Sequence, residues 1–108
     1  MPTKKEIRAA FREAVFKRDK YRCVMCGRPA STEVKLDAHH IQNRNLLPNG
    51  GYVLENGITL CDCEAGCHLK AEQFHATGKA YPGFSPADLY AKIGSSHEKA
   101  VKASQELS

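Results

Sequence analysis

Apolar positions in the first twenty residues recur at spacings of three and four: Ile7, Phe11, Ala14 and Val15. That period places them on one stripe and predicts a helix over residues 3–19. Thr3 with Glu6 forms a capping-box signature at its start. Lys17, Arg18 and Lys20 complement the dipole at its end. The period then changes to two. Val34, Leu36 and Ala38 alternate with Lys35 and Asp37, which predicts a half-buried strand over residues 34–41. Ile58-Thr59-Leu60, after the turn signal Asn56-Gly57, predicts a second short strand. Residues 42–51, rich in Asn and ending Pro48-Asn49-Gly50-Gly51, read as the loop between them. A helical pattern resumes near Cys67 and runs to Ala76, with Leu69, Ala71 and Phe74 expected inside and Gly78 as its stop. Ser85-Pro86-Ala87-Asp88 opens a further helix, with Ser as cap and Pro in the first position, and Gly94 ends it. A last helix starts at Ser95 or Ser96 and reaches Leu107.

The chain of 108 residues is expected to be one small α+β domain over 1–108. Within it, 1–20 is an N-terminal helix, 21–76 holds cysteine knuckles and a paired-strand core, and 77–108 is a helical extension. Composition adds a constraint. With no Trp, four Phe and four Tyr, the core is limited, and small domains of this kind need a staple. Five Cys can supply one. Their number is odd, and the N-terminus, Met1-Pro2-Thr3-Lys4-Lys5-Glu6, is charged with no apolar run behind it. The expectation is an intracellular, cytoplasmic protein whose thiols hold metal rather than form disulfides. No run approaches the ~20 apolar residues that span a bilayer, so no membrane partner is expected.

Cys23-x-x-Cys26-Gly27 has metal-knuckle spacing, and its partners must come from Cys61, Cys63 and Cys67. Two thiolate pairs make a tetrahedral zinc site that fastens the first knuckle to the turn after residue 60. Cys61 and Cys67 are favoured, because one ends a strand and the other begins a helix. Cys63 with Cys67 remains the alternative. A net charge of +4 suits a nucleic-acid partner without requiring one. The basic residues crowd the first quarter of the chain, and a solvated face explains many of them.

The sharpest local feature is His39-His40 in Asp37-Ala38-His39-His40-Ile41. On a regular strand, neighbouring side chains point to opposite faces. One ring could then hold a metal while the other stays free as a base. His39 and His68 could hold a second metal, open to water and phosphate. Taken with Asn56-Gly57-Ile58-Thr59-Leu60-Cys61 and Cys67-His68, these motifs resemble the HNH endonuclease family over about half of the chain, roughly residues 21–75.

The resemblance implies a ββα-metal (His-Me finger) core and a metal-dependent endonuclease that hydrolyses DNA phosphodiester bonds by nicking or double-strand cleavage. His40 matches the general base, His39 and His68 the ligands of a catalytic divalent metal, and Asn56 the residue that braces the loop and helps orient the base. The thiols match the structural Zn²⁺ of many members. Few protein ligands suit Mg²⁺, and two imidazoles equally suit Mn²⁺, Ni²⁺ or Zn²⁺. The expected partner is double-stranded DNA, intact, nicked or branched, with Arg44, Lys17, Arg18 and Arg22 as contacts and a protein partner as one route to targeting. A stand-alone nuclease of this size suits a bacterial or phage source. The chain departs from the family in Cys61-Asp62-Cys63-Glu64-Ala65-Gly66-Cys67-His68, which is longer than the usual Cys-x-x-Cys-His. His75, seven residues past His68, is a third candidate ligand, a phosphate contact or a packing residue; His97 is expected at the surface. The competing reading is a non-catalytic zinc module that binds nucleic acid or protein.

Overall fold

The computed structural model describes residues 3–62 and 66–107. The described residues form four α-helices and a two-stranded antiparallel sheet: α1 (Lys4–Arg18), β1 (Leu36–His40), β2 (Gly57–Cys61), α2 (Cys67–Thr77), α3 (Pro86–Lys92) and α4 (His97–Gln105). Two single-turn 3₁₀ segments, Arg44–Leu46 and Leu54–Asn56, lie between the strands, separated by a kinked turn at Pro48–Gly51 with Asn49 and Gly50 at positive φ. The small α+β class and the ββα order β1–β2–α2 are thus as expected, although β1 begins two residues later than the alternation suggests.

Local chemistry sets the element ends. The Thr3 hydroxyl accepts from the Glu6 N–H while the Glu6 carboxylate accepts from the Thr3 backbone, so α1 starts with the predicted capping box. Ser85 and Asp88 repeat the device on α3, and Gly78 closes α2 in the left-handed conformation. α1 ends on a clamp. Arg18 grips the Asp19 carboxylate through two 2.8 Å bonds and donates to the carbonyls of Leu54 and Gly57. Asp19 in turn accepts from the Thr59 N–H at 3.0 Å. The helix is thereby fastened to β2.

The sheet pairs Leu36 with Cys61 and His40 with Gly57. α1 lies close over Gly57. A Cβ there would stand 2.5 Å from Val15 Cγ2 and 2.8 Å from the Phe11 ring. The glycine is needed for this approach, not for its backbone angle. Gly57→Ala is expected to destabilise the fold by about 1–3 kcal/mol through overpacking. Urea denaturation measures this; an unchanged midpoint would show that α1 simply shifts.

One expectation fails on α2. Leu69 is 73% exposed, whereas Ala71 is buried and Phe74 half-buried. The face turned to the sheet carries Cys67, His68, Ala71, Glu72 and His75, at helical spacing. Leu69 lies off that face, so its hydrophobicity misleads.

The C-terminal helices brace the loop between the strands. The Tyr90 hydroxyl donates to Asn56 Oδ1 and the Ser95 hydroxyl to the Glu55 carbonyl, each at 2.8 Å. Asn49 Nδ2 donates to the carbonyls of Ser104 and Leu107 near the end of α4. No helix among the described residues is long and apolar enough to cross a membrane.

Candidate active site and metal centres

Strand alternation sends the two histidines of β1 to different neighbours. His39 is buried against α2: its ring lies edge-on to His68 and stacks with His75 at 5.2 Å. His40 meets α1 and the loop. It stacks on Phe11 at 4.6 Å and takes the edge of Tyr52 at 4.8 Å. Both still reach one cavity of about 340 Å³, which His68, Glu72, His75 and Arg44 also line.

Glu72 is the residue the sequence reading missed. Its Oε1 stands 3.2 Å from both His39 Nδ1 and His68 Nε2. These three residues form a group able to hold a metal ion. The hydrogen bond to His39, outweighing burial, lowers the Glu72 carboxyl to about 2, so it is anionic in neutral solution. Burial lowers the His39 pKa despite Glu72, which favours the neutral imidazole that ligates metal. Two imidazoles and one carboxylate converging beside an open cavity are a fitting donor set for a divalent cation. A signal was present: Glu72 follows His68 by four residues, one helical turn.

His68 is held from behind. Its Nδ1 lies 3.2 Å from Asp62 Oδ1 and 3.3 Å from Asp37 Oδ2. Carboxylates on the far nitrogen fix the tautomer and orientation of a ligating imidazole. Burial and the adjoining Asp62 raise the Asp37 pKa, whereas the hydrogen bond from Asp37 lowers that of Asp62. One proton is therefore retained first on Asp37.

His40 has a different environment. Its Nε2 is buried with no hydrogen-bond partner. Burial first, then the charges of His39, Arg44 and His75, lower its pKa to about 4. His75 stands outside the His39–His68–Glu72 group. Its Nε2 lies 3.0 Å from the His40 carbonyl, where a protonated nitrogen would donate and pin the end of β1 to α2.

Asn56 is wholly buried, and its side chain is fully engaged. Oδ1 accepts from the Gln42 N–H and the Tyr90 hydroxyl, and Nδ2 donates to the carbonyls of Gln42 and Gly51. It ties both ends of the interstrand loop together, immediately behind His40.

The other sequence candidates separate. Arg44 lines the histidine cavity and donates to the Tyr52 hydroxyl at 2.9 Å. Lys17 and Arg22 are exposed but line none of the cavities around the histidines. Arg18 has its guanidinium turned into the fold as the clamp on Asp19, Leu54 and Gly57. Its donors are engaged within the fold, and it does not line the histidine cavity.

Cys23, Cys26, Cys61 and Cys67 stand together, with every sulfur within 4.8 Å of the others and Cys26 Sγ 3.5 Å from Cys61 Sγ. Tetrahedral Zn–S bonds of about 2.3 Å put sulfurs about 3.8 Å apart, so the cluster is compatible with structural zinc. Burial raises the Cys26 thiol to about 11 and pushes Cys67 higher still, which makes an adjoining cation the natural way to keep both as thiolates. At Cys23, backbone N–H groups outweigh burial and lower the pKa. The alternative ligand Cys63 lies outside the described residues. The two centres interlock along the chain: Cys61 precedes Asp62, Cys67 precedes His68, and Asp62 meets His68.

A two-stranded sheet and a helix that converge imidazoles on one cavity beside a four-cysteine cluster form a small ββα unit consistent with an HNH-type domain. The HNH endonuclease family model matches residues 23–74, just under half of the chain. No curated protein and no solved structure matches the chain.

Proposed function

We propose that the protein is a metal-dependent endonuclease that hydrolyses phosphodiester bonds of DNA, with His40 as the general base. The observation that carries this reading is the convergence of His39, His40, His68 and Glu72 on one cavity that Arg44 also lines. The HNH match supports a nucleic-acid-related activity. Neutral at physiological pH, His40 lines the cavity in the form that takes a proton from an attacking water. Arg44 offers its charge to the phosphate. Asn56 holds the loop behind the base, and Asp37 and Asp62 hold His68. A divalent cation bound by His39, His68 and Glu72 would offset the charge that develops on the phosphate and the leaving oxygen. Mg²⁺ or Mn²⁺ suits that site, and Zn²⁺ suits the four thiolates. The test is plasmid nicking by the zinc-loaded protein with Mg²⁺ or Mn²⁺. Nicked or linear product is expected; intact plasmid under every metal overturns the reading.

Glu72→Gln keeps the shape and removes the charge. Mn²⁺ affinity, read by calorimetry, is expected to fall at least 10–100-fold, the cost typical of losing even an outer partner of a metal ligand. Zinc content should stay unchanged. Undiminished Mn²⁺ affinity would reduce Glu72 to a helix-surface partner of His68.

The low pKa of His40 also predicts a pH dependence of stability. An unfolded histidine takes up its proton near ~6.5, whereas folded His40 resists to about 4. Between these values the unfolded chain binds more protons, so stability is full above ~6.5 and declines as pH falls toward 4. Urea denaturation of wild type and His40→Gln should show wild type losing ground to the variant across that window. A constant difference would mean that folded His40 titrates like a free one.

A further inference from the structure

We infer that the face of α1 carrying Lys4, Arg8 and Arg12 is a track for the backbone of duplex DNA, registered to His40 by Tyr52 and Arg44. This rests on the nuclease reading for its purpose, although its binding can be measured independently. All three cations are exposed and recur every four residues, so they share one face. Four residues of helix rise about 6 Å, and the three therefore span about 12 Å. One strand of a duplex places three to four phosphates in about that length at ~3.4 Å of axial rise each.

The face opens onto the site. A cavity of about 640 Å³ runs beside Lys4, Arg8, Arg44, Asn45, Asn49 and Tyr52, with Ile7 and Leu107 also in its lining and no acidic side chain among the described residues there. A second, of about 300 Å³, continues along Arg8 and Arg12 to His40, with Asp37 as the single carboxylate among the described residues there. Arg44 borders both of these and the histidine cavity. Tyr52 is the joint. Its hydroxyl accepts from Arg8 Nε at 3.3 Å and from Arg44 Nη1 at 2.9 Å, while its ring meets His40 in a T-shaped contact. A strand whose phosphate meets Arg44 beside His40 thus has its neighbouring phosphates directed along α1. A rigid helix with evenly spaced charges matches a duplex, whose phosphates keep their spacing, better than a single strand, whose phosphates do not.

The test is fluorescence anisotropy of a short labelled duplex over a salt series, in a His40→Ala background so that the DNA survives. Combining Lys4→Ala, Arg8→Ala and Arg12→Ala is expected to reduce the slope of log affinity against log salt by about 2–3, at ~0.9 per lost phosphate contact. Combining Lys79→Ala, Lys92→Ala and Lys102→Ala, exposed cations away from α1, should leave the slope unchanged. Thermal melts confirm that the variants fold; should the first triple unfold, Arg12→Gln alone repeats the measurement with an expected loss of about 0.9. An unchanged slope for the α1 variants, an equal loss for the control triple, or equal affinity for the corresponding single strand would overturn the track. A protein that binds as expected, yet whose wild type cuts nothing, keeps the track and loses the nuclease. One that cuts while the α1 variants retain their slope loses the track alone.

Discussion

Replacing His40 with alanine is expected to slow plasmid nicking by about 10²–10⁴-fold, the usual contribution of a positioned acid or base. The ring has few other tasks. Its Nε2 holds no hydrogen bond, and the carbonyl that meets His75 belongs to the backbone, which the substitution preserves. The side chain does pack on Phe11 and Tyr52, so some stability is lost as well. A melting curve and an Mn²⁺ titration separate the two effects. Folded protein with wild-type Mn²⁺ affinity and lost nicking identifies a base. Equal nicking by both proteins sinks that assignment.

Removing zinc is expected to unfold the chain. The binding free energy of a structural zinc is on the order of 10 kcal/mol, comparable to the whole stability of a small domain. The four-cysteine cluster joins the first knuckle, the end of β2 and the start of α2. Chelation should abolish the helical circular dichroism signal, and Zn²⁺ alone should restore it. Cys26→Ser gives a cleaner variant, because Cys26 is exposed and its loss leaves no cavity in the core. It should weaken zinc binding and lower the melting temperature, whereas Cys63→Ser should alter neither. A fold indifferent to chelation would remove the staple, and a strong effect of Cys63→Ser would reassign its fourth ligand.

The two centres were legible to different degrees. The thiol knuckle and the His39-His40 doublet are local patterns, and the period of two directs the rings apart wherever they fall. Glu72 was harder. A glutamate four residues after a histidine is an ordinary surface pair on most helices. It becomes a candidate ligand only because α2 packs with that turn facing His39, which comes from a strand 33 residues earlier. Leu69 misled for the same reason: the face of α2 turned inward is chosen by Cys67, Ala71 and the polar cluster. Asn56 was readable as a turn residue, but its saturation depends on Tyr90, 34 residues away.

The basic residues make the contrast sharpest. Composition shows that cations crowd the first quarter of the chain, and the helical period gives their spacing. Nothing local shows which face of α1 looks toward His40. That is decided where Gly57 lets α1 close on β2 and Arg18 clamps its end, turning Arg8 and Arg12 toward the site and spending Arg18 in the fold. Sequence alone determined the helices and strands, the caps and the thiol and imidazole motifs, because periodicity, capping and thiol spacing act within a few residues. The tertiary structure alone decided which carboxylate joins the histidines and which cations face the cavity. Those depend on strand register and helix packing angle, and both arise from contacts between distant parts of the chain.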